Sequence, residues 1–165
     1  MNQSFNTLYK ENYTKVYRLC MTYVSGNEAL ADDLSQEVFV KIWQYLDQFR
    51  NESQVSTWIY RITVNTCLMH LRKIKKSQEK NTDQVPESLC DDQEDDRDER
   101  LKMLRACIKK LNEMGKILIS LVLEEVPQKE IAEAVGLSNE NVRVQIHRNK
   151  GKLFKCMTSK EMQNA

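Results

Sequence analysis

The sequence predicts an all-α protein of two small helical domains joined by a flexible acidic linker, with a helix-turn-helix in the C-terminal domain. The 165 residues include only four glycines and two prolines, and 41% are hydrophobic, a composition that favours helices. Apolar residues recur every three or four positions on both sides of one polar, acidic stretch. We place the first domain at residues 1–76, the linker at 77–98 and the second domain at 99–165.

Two helices are predicted first. Residues 5–24 carry one aromatic and aliphatic stripe, which we expect to be buried. Ser25, Gly26 and Asn27 end this helix, and Asn27 can cap a second one from residue 28 to about residue 46. The predicted inner stripe of the second helix is Leu30, Leu34, Val38, Ile42, Tyr45 and Leu46.

The outer side of the second helix is acidic and carries an amide. Asp33, Gln36 and Glu37 project together away from the apolar stripe, and Asp32 lies beside them. From spacing alone, a solvated helix surface is the default interpretation. The alternative is a docking surface for basic helices of a partner, because opposite charge speeds the encounter and sets the register.

A third helix is predicted after a polar loop at 50–57, and its surface is basic. Arg61 and Asn65 share one face, and Trp58 and Tyr60 lie near the helix start. The helix ends in four cations: Arg72, Lys73, Lys75 and Lys76. Aromatic rings near cations suit single-stranded nucleic acid. A core Trp58 and cations that complement the helix dipole are the alternative. We expect Trp58 in the core, but four cations exceed what a helix end needs.

A net charge of +1 hides a strong segregation along the chain. Residues 1–80 carry 11 basic and 8 acidic side chains, residues 81–100 carry 2 and 9, and residues 101–165 carry 12 and 7. The acidic block contains Pro86 and the run CDDQEDDRDE. Its low hydrophobicity and repelling charges predict an extended linker between two basic blocks.

The second domain begins with two predicted helices and ends with a helix-turn-helix at residues 128–154. Leu101, Leu104, Ile108 and Leu111 share one face near the domain start, and residues 113–123 form the next helix. Three residue types then indicate the helix-turn-helix. Pro127 can begin a short helix, Gly136 permits the turn and Ser138 caps the following helix. The apolar stripe between the two helices is Ala132, Val142, Ile146 and Leu153.

The outward residues of the last helix have the composition of a recognition helix. They are Asn139, Glu140, Arg143, Val144, His147 and Arg148, followed by Lys150 and Lys152. Amide and guanidinium groups near the helix start can reach base edges in the major groove, and the later cations suit phosphates. A packed helical hairpin with a solvated face is the alternative. Agreement between the turn, the cap and the stripe favours DNA binding.

Several functions are not expected from the remaining residues. The five cysteines are odd in number and scattered, which is typical of a reduced compartment. Cys67 and His70 could share a helix face, but two further metal ligands are missing at suitable spacing. We therefore expect no metal and no cofactor, and, without a nucleophile beside a base, no enzyme. The N-terminus lacks a secretory signal pattern, and no apolar run reaches the ~18 residues of a membrane span, so we expect a cytoplasmic protein.

Three collinear motifs resemble the extracytoplasmic-function (ECF) group of bacterial sigma factors. ADDLSQEVFVKIW at 31–43 is similar to the family's region that binds core RNA polymerase. TWIYRITVN at 57–65 is similar to the segment that opens and reads the minus-ten promoter element. EIAEAVGLSNENVRVQIHRNKGKL at 130–153 is similar to the helix-turn-helix that reads the minus-thirty-five element as duplex.

The resemblance implies roles for particular residues. Those at the polymerase-binding positions are Asp32, Asp33, Gln36, Glu37 and Trp43. Asn65 matches a position that touches a flipped minus-ten base, the loop at 51–56 forms part of that pocket, and Arg61, Arg72 and Lys73 hold the strand. The outward residues of the last helix read the minus-thirty-five element. The implied partners are core RNA polymerase, promoter DNA in duplex and single-stranded form, and an anti-sigma factor, often membrane-linked.

The sequence departs from the family pattern in three places. Met69 stands where a polar or acidic residue is common, Asn112 replaces a usual proline, and Glu125, Val126 and Pro127 replace a glycine-containing entry to the helix-turn-helix. Two other functions stay open. One is a helix-turn-helix regulator that binds duplex DNA without joining polymerase, and the other is a nucleic-acid-processing enzyme, for which no catalytic constellation is evident.

Overall fold

The computed structural model describes residues 4–80 and 99–163, and within these two ranges the chain is helical and contains no strand. The all-α prediction is therefore confirmed. None of the helices in these ranges has both the length and the apolar character needed to cross a membrane. The seven helices are α1 (Phe5–Tyr23), α2 (Glu28–Tyr45), α3 (Val55–Lys80), α4 (Glu99–Lys109), α5 (Glu113–Leu123), α6 (Gln128–Val135) and α7 (Asn139–Gln163). A 3-10 turn, Leu46–Gln48, follows α2.

Short polar side chains begin several of these helices. The Asn27 side chain accepts a hydrogen bond from the Leu30 amide at 3.1 Å, so the predicted cap of α2 is confirmed. Asn112, one of the departures noted above, caps α5 by accepting from the Gly115 amide at 2.8 Å. Asn112 thus begins α5 as an N-cap, because its side chain satisfies an amide that has no partner within the helix.

Two helix boundaries differ from the predicted ones. α3 begins at Val55 rather than at about residue 57, and it continues to Lys80 instead of ending at 76. Gln78, Glu79 and Lys80 favour helix, so four residues of the predicted linker extend α3. The rest of that linker, residues 81–98, lies outside the described residues.

The first half, α1–α3, packs around an aromatic and aliphatic core. The Tyr9 ring meets the Phe39 ring edge-on, with centroids 4.7 Å apart, and joins α1 to α2. Val16, Val38, Ile42 and Ile59 are fully buried. The expectation that Tyr45 lies on the inner stripe is wrong, because Tyr45 is exposed at the last residue of α2, where the chain turns into the 3-10 segment.

The second half, α4–α7, contains the predicted helix-turn-helix. α6 ends at Val135, and the next residue, Gly136, adopts a left-handed conformation with φ of 71°, as a tight turn requires. Val142 is fully buried, Ala132 and Leu153 are buried and Ile146 is partly buried, so the predicted inner stripe is confirmed. Pro127 lies just before α6 rather than at its first residue.

The two halves are in contact. α5 packs against α1 and α6 packs against α3, and the apolar core is continuous across both pairs. A cavity between the halves is lined by side chains that include Leu19, Tyr23 and Leu121. At the edge of this contact, the Arg18 guanidinium donates two hydrogen bonds of 2.8 Å to the Glu124 carboxylate. The two predicted domains therefore share one core.

Candidate protein and nucleic-acid interfaces

The acidic face of α2 is presented to solvent because the opposite face is locked into the core. Leu34 and Val38 are buried, and Asp32, Asp33 and Gln36 are exposed on the outer side. Their carboxylates and amide thus form the outer surface predicted from the sequence.

Glu37 of this face is held in place by a neighbour. Its carboxylate pairs with the Lys41 ammonium at 3.0 Å, and the same ammonium donates to the Thr66 hydroxyl of α3 at 3.2 Å. The half-buried Lys41 therefore fixes the orientation of the Glu37 carboxylate.

An apolar area adjoins the acidic face. The Trp43 side chain is 65% exposed and Val40 is 52% exposed, although both follow buried residues of the same helix. Sequence analysis assigned Trp43 but missed Val40. The sequence pattern that could have identified Val40 is an apolar residue outside the predicted inner stripe, one turn before Trp43. We call Asp32, Asp33, Gln36, Glu37, Val40 and Trp43 the α2 surface.

The four residues predicted to bind a single strand lie along the exposed side of α3. Arg61, Asn65, Arg72 and Lys73 are all exposed. Met69 lies among them with its side chain 48% exposed. The departure at Met69 thus places an apolar side chain on the surface that carries the amide and the cations. We call these five residues the α3 stripe.

One end of the α3 stripe is engaged by the second half. The Arg61 guanidinium donates two hydrogen bonds, of 3.3 and 3.2 Å, to the backbone carbonyl of Glu133 in α6. One turn earlier, the Ser56 hydroxyl lies 3.5 Å from the Glu130 carboxylate. In this arrangement the α3 stripe is open at Asn65, Arg72 and Lys73, whereas Arg61 is already occupied.

The aromatic residues at the start of α3 are not a free stacking platform. Trp58 is partly buried and packs against Phe49, with ring centroids 4.9 Å apart. Tyr60 is buried, and this burial, together with the nearby Glu130 and Glu124 carboxylates, raises the pKa of its hydroxyl. The expectation that Trp58 belongs to the core is confirmed.

The start of α7 presents all the predicted duplex-reading residues together. Asn139, Glu140, Arg143, Val144, His147 and Arg148 are exposed. The Ser138 hydroxyl accepts from the Asn141 amide at 3.1 Å, so the predicted cap is confirmed. Three of these exposed side chains have defined neighbours. The Gln128 side-chain amide of α6 donates to the side-chain oxygen of Asn139 at 2.8 Å, and Glu140 pairs with Arg143.

A close crossing with α5 anchors α7 behind this surface. Asn149 is buried, and its side-chain amide donates to the Gln145 carbonyl at 2.8 Å. A Cβ atom at Gly115 would lie 2.6 Å from the Asn149 side-chain oxygen. A larger residue at position 115 would therefore displace the Asn149 side chain and the capping side chain of Asn112, whose oxygen lies 2.9 Å from the same Cβ position.

The entry to the helix-turn-helix contains a strained residue. Glu125 has φ of 57°, in the left-handed region that glycine occupies readily and other residues occupy at a cost. This position belongs to the Glu125, Val126 and Pro127 departure. The chain thus makes the same turn with a glutamate.

The four cysteines within residues 4–80 and 99–163 lie in two pairs. A hydrogen bond with the Cys20 thiol and deep burial raise the pKa of the Cys67 thiol well above its usual range. Cys67 thus packs against a second thiol. Cys107 of α4 and Cys156 of α7 form a disulfide. Their 49-residue separation hid this pair from sequence analysis, which treated the cysteines as scattered.

Comparisons with known proteins found matches along most of the chain. The Sigma-70 region 2 model matches residues 8–77, and the Sigma-70, region 4 model matches residues 101–153. The chain is 32% identical to RNA polymerase sigma factor SigZ of Bacillus subtilis over 136 residues, which cover 80% of this chain and 77% of SigZ. It is 30% identical to RNA polymerase sigma factor YlaC of Bacillus subtilis, over 94% of this chain and 92% of YlaC.

One shorter sequence match and two solved structures with a similar fold add to these comparisons. An ECF RNA polymerase sigma-E factor of Haemophilus influenzae is 41% identical over 69 residues, covering 42% of this chain and 35% of that protein. The fold is similar to that of the sigma factor RpoE from Bartonella quintana in complex with the anti-sigma factor NepR, with a TM-score of 0.82, 17% identity and coverage of 93% and 96%. It is also similar to CnrH in complex with the cytosolic domain of CnrY, with a TM-score of 0.70, 21% identity and coverage of 94% and 88%.

Proposed function

This chain belongs to the ECF group of RNA polymerase sigma factors, which are transcription initiation factors, and we propose that it binds core RNA polymerase, directs it to specific promoters and assists promoter melting. The observation that carries this proposal is the α2 surface. A DNA-binding regulator that works alone has no need of an exposed tryptophan beside a row of carboxylates. A factor that joins a larger protein uses the tryptophan for apolar contact and the carboxylates to attract basic side chains.

The α2 surface would bind the polymerase through two kinds of contact. The carboxylates of Asp32, Asp33 and Glu37 would attract a basic helical surface, which speeds the encounter and fixes the register. Trp43 and Val40 supply apolar area next to these charges, and a desolvated tryptophan is a common centre of binding energy.

The α3 stripe would bind the melted minus-ten element. Asn65 carries donors and acceptors suited to the edge of an unstacked base, and Arg72 and Lys73 carry charges suited to the strand's phosphates. Unstacking costs a few kcal/mol per base step, and these contacts exist only once the strands have parted. Binding to the open strand would therefore favour melting without any covalent change.

The start of α7 would read the minus-thirty-five element in the major groove. Asn139 and Arg143 lie in its first two turns, where side chains of a recognition helix reach base edges. Lys150 and Lys152 follow at positions suited to phosphate contacts, and all four side chains are exposed.

Reading both elements requires the halves to separate. At 3.4 Å per base pair, elements named for positions 10 and 35 lie roughly 85 Å apart on B-form DNA. The α3 stripe and α7 belong to halves that share one core and a contact between Arg61 and Glu133. We infer that binding to polymerase and promoter replaces this contact, which frees the Arg61 guanidinium for the DNA strand.

We also propose that an anti-sigma factor, possibly one linked to the membrane, controls this chain. Two solved structures that share its fold are the sigma factor RpoE in complex with the anti-sigma factor NepR and CnrH in complex with the cytosolic domain of CnrY. The proposed site of action is the cytoplasm, where core polymerase and promoter DNA are found.

The test is co-elution of the purified protein with bacterial core RNA polymerase on a sizing column. The protein should elute with the polymerase, and an Asp33→Ala/Glu37→Ala variant should elute separately. A Glu11→Ala/Glu79→Ala variant removes the same charge from exposed positions outside the α2 surface, and it should still co-elute. If the unaltered protein stays separate from the polymerase yet shifts duplex DNA, it is an independent regulator and the proposal fails.

A further inference from the structure

The disulfide joins the first helix of the second half to the C-terminal part of its last helix. The Cα atoms of Cys107 and Cys156 are 5.8 Å apart, within the range that a disulfide bridges without backbone movement. The closed loop contains α5, α6 and most of α7. The bond therefore encloses the whole helix-turn-helix, although it lies beyond the proposed DNA-reading residues.

The two cysteine pairs of the described chain differ in accessibility. Cys20 and Cys67 are both buried in the core, and the raised pKa of Cys67 keeps its thiol protonated, so this pair is poorly reactive. Cys107 is buried too, but Cys156 is only partly buried and lies in the outer part of the smaller apolar cluster. A small thiol or disulfide can therefore approach one sulfur of the second pair.

α4 contacts α7 through the disulfide and through a small apolar cluster that includes Ile108, Leu153 and Met157. It is 11 residues long, and only Cys107 and Ile108 of the helix are buried. Helices of this length are marginal alone in water. Its ion pair to α7, Arg100 with Glu161 at 3.6 Å, is exposed at both ends, and such pairs stabilise little. The sulfur link is therefore one of few contacts that hold α4 in position.

We propose that Cys107 and Cys156 are a redox-reactive pair that exchanges with low-molecular-weight thiols and disulfides, and that the oxidised form fastens α4 to α7. In a cytoplasmic protein, a disulfide is usually transient and redox-sensing rather than permanent. The consequence for promoter binding rests on the proposed function, because α7 is the helix assigned to the minus-thirty-five element. The chemical reactivity itself does not depend on that function.

The exchange proceeds in two balanced steps. A Cys156 thiolate attacks one sulfur of a small disulfide, such as oxidised glutathione, forms a mixed disulfide and expels one small thiolate. The Cys107 thiolate then attacks the Cys156 sulfur, which closes the protein disulfide and expels the second small thiolate. The two protons lost by the cysteines are taken up by the two small thiolates, and the two electrons reduce the small disulfide. Excess small thiol reverses both steps.

The test compares the full chain equilibrated in oxidised and in reduced glutathione. Peptide mapping by mass spectrometry should find Cys107 joined to Cys156 in the oxidised sample and both free in the reduced one. Because the bond closes a loop of about 50 residues, the oxidised protein should melt roughly 10 °C above the reduced protein. Hydrogen exchange of α4 should be faster in the reduced form.

Matched variants keep the test independent of folding defects. Cys156→Ala should abolish the difference in melting temperature between the two glutathione conditions, whereas Cys20→Ala should leave that difference intact. The proposal is overturned if oxidation links other cysteines, such as Cys90, or if the two forms of the unaltered protein melt together. If the Cys107–Cys156 bond and the melting shift appear but neither form binds polymerase, the redox pair stands and the proposed function fails.

Discussion

The two halves present their proposed DNA-reading side chains in different ways. In α7 all six residues lie within ten positions at one helix end, and a cap and a buried stripe on the same helix orient them. In α3 the residues extend from 61 to 73, roughly 18 Å along the helix, and the first of them is bonded to α6. The α7 residues are thus all exposed within the second half, whereas under our proposal Arg61 of the α3 stripe would reach DNA only once its contact with Glu133 is broken.

This difference shows where control can act. The proposed separation of the halves would break the contacts that α1 and α3 make with α5 and α6, whereas α7 packs on α4, α5 and α6 within the second half. The disulfide joins α4 to α7. The contact between the halves involves α5 and α6, so the two features act on different helices of the second half.

The largest expected effect comes from breaking the shared core. Leu121 is fully buried and lines the cavity with Leu19 and Tyr23 of α1. Leu121→Ala should destabilise the protein by about 2–5 kcal/mol, because it removes buried methyl groups and leaves a cavity. Denaturant unfolding measures this loss, and amide hydrogen exchange should show reduced protection in both α1 and α5.

Leu153 provides the matched control, since it is buried in the smaller cluster of α4, α5 and α7. Leu153→Ala should let α4 and α7 open locally, so the loss of amide protection should be greatest in these two helices. A Leu121→Ala protein with unchanged protection in α1 would mean that the halves do not share a core in solution.

A smaller effect should follow from the crossing of α5 and α7. Gly115→Ala places a Cβ atom 2.6 Å from the Asn149 side-chain oxygen, so the buried Asn149 side chain must move, at a cost of about 1–3 kcal/mol. Thermal unfolding should show the loss, and duplex binding should weaken. Gly151→Ala on α7 meets open space and should stabilise the helix by about 0.5–1 kcal/mol. Equal stability of the two variants would contradict the close crossing.

The smallest effect concerns the two turns that border α6. Glu125→Gly should stabilise the protein by about 1 kcal/mol, because glycine adopts the left-handed conformation without the Cβ clash. Gly136→Ala should destabilise it by about the same amount, since its φ is 71°. Chemical denaturation measures both changes. A loss of stability in Glu125→Gly would show that the glutamate side chain contributes more than the strain costs.

Local patterns predicted the helices and much of the candidate sites. Asn27, Gly136 and Ser138 act within four residues of their own positions, so their roles as caps and turn are readable from sequence. The outer residues of α2 and α7 were predicted for the same reason, because helical periodicity alone assigns them a face.

Other features that the sequence did not predict depend on tertiary contact. The Arg61 and Glu133 contact joins residues 72 positions apart, and the Cys107 and Cys156 bond joins residues 49 positions apart. Neither leaves a local pattern. Tyr45 fits the inner stripe of α2 by spacing, yet it is exposed because the helix ends there and no other element covers it.

The most direct measurement is transcription of pooled genomic DNA fragments by purified core polymerase, with and without this chain, followed by mapping of the start sites. We predict discrete start sites that appear only when the chain is present and that share two sequence blocks near minus ten and minus thirty-five. The same scattered start sites with and without the chain would contradict the proposal that it directs polymerase to promoters.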